Sequence, residues 1–149
     1  DHTPFLRAGK PGLLFWHFTD QFYHTDNDRI DKVSAEELRN VGITALVSAL
    51  ALVSADSTMV HGLIEEVARA GVARLEAESR LSAEAMRGGG DAAVERDILE
   101  TWAAWYAGAL GSFVDLEVGG VTEGTRAAVE QAQGAVRAAL AAARREAGV

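Results

Sequence analysis

One run in this chain is built like a β-strand, and a single strand cannot make a sheet. The run is LLFWHF, Leu13 to Phe18, six apolar or aromatic residues with no alternation. Such a run suits a strand buried on both faces, as in a parallel sheet. No second run of this kind occurs, so the strand's partners are expected to lie outside the chain. The chain opens at Asp1 without an initiator Met, a basic segment or an apolar signal core. It is therefore expected to be part of a longer product.

Around that run the chain changes style. Residues 1 to 33 hold both prolines, three of the four histidines and four of the five phenylalanines. A short opening helix is expected, with Thr3 as N-cap, Pro4 at the first helical position and Gly9 as the left-handed stop. Residues 19–33 read as a polar, Asp-rich loop. Ser34 and Glu37 form a capping-box pattern that opens a helix reaching about Ser54. Its interior, VGITALVSALALV, is apolar almost all round, which predicts burial. A membrane span is the competing reading and is set aside, because only about 15 apolar residues precede Asp56 where a span needs about 20.

Three further helices follow. The first runs from about Ser57 to Met86, with Val60, Ile64, Val67, Gly71 and Leu75 on one stripe. The second opens at Asp91, after Gly88-Gly89-Gly90, with Val94, Ile98, Trp102, Trp105, Ala109, Phe113 and Leu116 as its expected inner face. The third starts near Thr122 and carries Val129, Ala132, Val136 and Leu140. Stripes at this spacing are core faces before they are anything else, and they predict packing either together or onto the preceding domain. The tail LAAARREAGV is expected to fray at its end.

Composition removes several functions. A net charge of −8 leaves no cationic surface for a phosphate backbone, so no nucleic-acid partner is expected. With no cysteine in 149 residues, thiol catalysis, disulfides and Cys-ligated zinc are excluded. No HExxH, GxSxG, P-loop or GxGxxG is present. Among the histidines, His61 reads as structural and His17 as a buried, hydrogen-bonded neutral imidazole. His24 sits in the acidic loop after the expected strand, where ligand-binding groups of open α/β sheets collect.

The order of motifs in DHTPFLRAGKPGLLFW and then FYHTDNDRIDKV resembles the C-terminal end of the catalytic domain of metallopeptidase family 28. That family holds bacterial zinc aminopeptidases, and glutaminyl cyclases share its fold. The pieces are Asp1-His2, Pro4-Phe5, Gly9-Lys10-Pro11, the apolar run, His24-Thr25 and Asp28, with a helix from Ser34. Arg29 and Lys10 depart from the family's usual Thr and apolar residue.

The resemblance implies an α/β fold class: residues 1–55 as the end of a three-layer αβα zinc-peptidase domain, and residues 56–149 as an all-α extension. It implies His24 as a metal ligand, with Tyr23 and Asp1 near bound substrate. The cofactor would be zinc, two ions in the complete protein, with the base and remaining ligands missing from this chain. The expected function is the closing segment of a zinc aminopeptidase acting on peptides, inactive by itself and dependent on the missing N-terminal portion. Tyr23 stands where cyclases typically carry Trp, which favours a peptidase. Exported relatives imply a secreted or periplasmic location. Two other readings stay open: a helical interaction or homo-oligomerisation module, with Trp102, Trp105 and Tyr106 as its anchor, and a non-catalytic relative of the peptidase fold. Asp28 is expected to hold the loop as an Asx turn.

Overall fold

The computed structural model describes residues 2–9 and 14–149. It divides into two compact units, residues 1–49 and 50–149, with the division inside a helix. The helices are α1 (Thr3–Arg7), α2 (Ala35–Ser54), α3 (Ser57–Arg87), α4 (Ala92–Ser112) and α5 (Glu123–Ala147), with 3-10 turns at Ile30–Lys32 and Phe113–Asp115.

No strand is present among the described residues, and Leu14–His17 carries no ladder. The expected α/β fold class, with a three-layer αβα domain over residues 1–55, is thereby corrected: the described fold is helical. A strand exists only through hydrogen bonds to a neighbour, and the apolar run has no second strand among the described residues to pair with.

Unit 1 is loosely covered. In α1, His2 rather than Thr3 occupies the cap position and makes no side-chain cap bond, while Gly9 takes the expected positive φ of 68°. Ser34 caps α2 by accepting the Glu37 N–H at 3.2 Å. The reciprocal half of the capping box is not made, because the Glu37 carboxylate lies 3.3 Å from His17 Nε2 instead. No residue of α2 is buried, which overturns the expected burial. Leu38, Ile43, Leu46, Val47, Leu50, Leu52 and Val53 are all exposed. An all-round apolar helix needs cover on every side, and the described residues cover only Val41, Ala45, Ser48 and Ala51 in part. By length and composition α2 is long and apolar enough to cross a membrane, with a mean hydropathy of 1.3. Its uncharged stretch between Arg39 and Asp56 nevertheless rises only about 24 Å against a hydrocarbon core of about 30 Å.

Unit 2 is a three-helix bundle. Asp56, Asp91 and Thr122 cap α3, α4 and α5, each accepting a first-turn backbone N–H. His61 meets Thr125 and Ser79 meets Glu146, so α3 and α5 run parallel. Arg74 stacks on Trp102 at 3.7 Å and Gln133 donates to the Ala107 carbonyl at 2.9 Å, so α4 runs against both. The core is Val60, Ile64, Leu75, Leu99, Ala103, Leu110, Val129, Ala132, Val136 and Ala143. The expected stripes of α3 and α5 supply most of it.

The expected stripe of α4 is met in part. Trp102, Phe113 and Leu116 pack against the core, but the fully buried positions are Leu99, Ala103 and Leu110, whereas Val94 is exposed and Trp105 is 60% exposed. Apolar residues stand in adjacent pairs here (Ile98-Leu99, Trp102-Ala103, Trp105-Tyr106, Ala109-Leu110), so spacing alone cannot choose the inner member. Gly71 helps decide: its missing side chain admits the Tyr106 ring, which a Cβ there would meet at 2.9 Å.

The expected fraying of the C-terminal segment is also corrected. Ala143 and Ala147 are buried, Ser79 donates to the Glu146 carboxylate at 2.6 Å, and Arg144 pairs with Glu100. Gly148, at φ 76°, closes α5 by donating to the Arg144 carbonyl.

Candidate functional site

The loop between the apolar run and α2 is organised by short-range polar bonds. Asp20 Oδ1 accepts from the N–H groups of Phe22 (2.9 Å) and Tyr23 (3.2 Å), an Asx turn. Asp20 therefore fills the role expected of Asp28, whose contribution is a backbone N–H donated to the Thr25 carbonyl. Thr25 donates its hydroxyl to the Phe22 carbonyl at 2.7 Å and accepts from Asn27 N–H at 3.3 Å.

These bonds hold His24 at φ 60°. It is the one non-glycine residue of the described chain in the left-handed region. Histidine tolerates that region better than bulky or branched residues do, but it is still a costly backbone state that the surrounding turn must impose. The His24 ring stacks on Tyr23, with centroids 3.9 Å apart and planes 17° apart. Tyr23 in turn meets Trp16 edge-on at 4.6 Å. Two of the expected site residues, Tyr23 and His24, are thus in contact. Asp1 lies outside the described residues.

Chemically, the loop offers one imidazole. Zinc centres take three or four protein ligands, and among the described residues no group of three His, Asp or Glu side chains could hold a metal. The described residues do not by themselves fit a zinc centre.

A cavity of about 490 Å³ lies nearby in unit 1 and includes neither Tyr23 nor His24. Its charged lining is His17, Asp20, Asp28, Lys32 and Glu37. His17, expected as a buried neutral imidazole, is exposed and paired with Glu37. Lys32 pairs with Asp31 at 2.8 Å and stands 5.3 Å from the centre of the Phe22 ring. Little in the residue pattern points to this grouping, because Glu37 is also half of a helix-cap pattern and His17 lies in an apolar run.

No curated protein and no solved structure matches the chain. Residues 1–49 match the family described as Peptidase family M28, while residues 50–149 lie outside the match. The match spans unit 1 and all the loop residues described above, and over that stretch the chain is similar to that family.

Proposed function

We propose that this chain is a segment of a zinc-dependent aminopeptidase in which His24 contributes one imidazole to a metal centre completed by groups outside the chain. The family match over residues 1–49 supports this reading, since it contains the His24-Thr25 turn whose backbone is held in an uncommon conformation. Tyr23, stacked against that imidazole, would form part of the wall met by a peptide substrate, and Asp1 would lie near it. Zinc, when bound, supplies Lewis acidity and an activated water. The contribution of this chain is to present and orient the imidazole. An exported, non-membrane-spanning protein is part of the same proposal.

The test compares wild type with His24→Ala in the full-length protein. Zinc content would be measured by mass spectrometry, and hydrolysis with an aminoacyl nitroanilide. The variant is expected to lose zinc and to lose more activity than the about 10–100-fold that follows loss of a group merely supporting a ligand. Unchanged zinc and activity would overturn the assignment. Function would then be sought in residues 50–149, which have their own core and lie outside the family match, as a helical interaction module.

A further inference from the structure

The α4–α5 connection is folded back on itself by two glycines. Gly119 and Gly120 have φ of 92° and 104°, which L side chains rarely adopt. The reversal brings the Glu117 carboxylate onto the start of α5. Its Oε2 accepts the Thr122 N–H at 2.9 Å and lies 3.2 Å from the Thr122 hydroxyl. Thr122 Oγ1 also accepts the Thr125 N–H at 3.2 Å, as the helix cap, and stands 3.1 Å from Thr125 Oγ1. Thr125, fully buried, is 3.1 Å from His61 Nε2 on α3. On the other side of the turn, Val118 N–H donates to the buried Ala55 carbonyl just before α3, at 2.9 Å.

The single hydroxyl proton of Thr122 can go to Glu117 or to Thr125. A charged acceptor makes the stronger bond, so an ionised Glu117 takes it and ties the connection to α5. A neutral Glu117 loses that advantage, and the hydroxyl is free to turn to Thr125. We propose that Glu117, Thr122, Thr125 and His61 form a charge-operated latch, which holds the α4–α5 connection against the starts of α3 and α5 while Glu117 is ionised and releases it when Glu117 is neutral.

The Thr122 backbone N–H holds the Glu117 carboxyl below its ordinary range. Burial opposes the shift, and the hydroxyls of Thr125 and Thr122 and the charge of His61 add to it. Among the described residues, His61 of α3 is the one titratable side chain that acts on it; Thr122 and Thr125, from α5, do not titrate. A carboxylate with a depressed native value stabilises the closed state above its unfolded value. That contribution disappears as the pH falls through the native value, so release is expected below the ordinary 4.5.

Amide hydrogen exchange on the full chain tests this, with rates divided by the intrinsic rate at each pH. In wild type, protection at Val118 and Thr122 should fall about tenfold or more between pH 6 and 3, the size of one charge-assisted bond. Protection at core amides such as Leu99 should hold. Glu117→Gln should show the low protection already at pH 6, whereas Thr122→Ser should keep wild-type behaviour. Flat protection at Val118 and Thr122 through the acid range would overturn the latch. So would a simultaneous loss at Leu99, which would mean global unfolding. If Glu117→Gln does not fold, the wild-type titration alone decides.

Discussion

Truncating Leu99 to alanine is expected to remove about 3–5 kcal/mol from the stability of the bundle. Leu99 is fully buried at the centre of α4, packed in the core with Leu75, Val136 and Leu110. The loss combines the transfer free energy of the deleted atoms with the dispersion contacts left facing an empty volume. A unit of this size is stable by only about 5–15 kcal/mol, so the urea midpoint followed by circular dichroism at 222 nm should fall by roughly 2 M. Leu52→Ala provides the contrast. Leu52 is exposed on α2, and its truncation should change stability by no more than about 0.5 kcal/mol. Equal losses in the two variants would show that the inner face of α4 has been misassigned.

Two glycine-to-alanine substitutions in the same helix are expected to act in opposite directions. Glycine inside a helix costs about 0.5–1 kcal/mol relative to alanine, mostly through backbone freedom in the unfolded chain. At Gly62 nothing lies within 4 Å of an added Cβ, so Gly62→Ala should raise stability by about that amount. At Gly71 the added Cβ would sit 2.9 Å from Tyr106 Cγ, 3.0 Å from Cδ1 and 3.2 Å from Cβ. Those atoms lie at the root of the side chain, where no small torsion clears them. Gly71→Ala is therefore expected to cost about 1–3 kcal/mol, the range for overpacking a close helix contact. Combining it with Tyr106→Ala should cost less than the two single losses together, since the clash is shared. A stabilised Gly71→Ala variant would mean that the Tyr106 ring does not rest there.

The contrast between these sites shows what was readable in the residues. The starts of α2, α4 and α5 were legible because a cap is a local device: Ser34, Asp91 and Thr122 each bond backbone within three residues. The inner face of α3 was legible because its apolar stripe is single. The face of α4 was not, since paired apolar residues offer two adjacent stripes and Tyr106 over Gly71 helps select one. The expected strand failed for a different reason. Residues 14–18 have strand composition, but strand geometry is a property of a pair. Burial of α2 failed similarly, because an apolar sequence states a need for cover and cannot supply it. At the candidate site, His24 emerged through its place in a motif order, while its left-handed backbone depends on bonds from Asp20 and Thr25. The grouping of Glu117 with His61 joins residues far apart in the chain, which no local pattern encodes.

The parallel course of α3 and α5 gives unit 2 an electrical polarity. Peptide dipoles in each helix sum to about half a positive charge at the start and half a negative charge at the end. Two neighbouring helices of the same direction place like poles side by side, and the single opposed helix, α4, offsets only part of this. Acidic groups stand at the starts: Asp56 before α3, and Glu117 and Glu123 at α5. Basic groups stand at the finishes: Arg87 in the last turn of α3, and Arg144 and Arg145 in that of α5. These side chains place a countercharge at each pole.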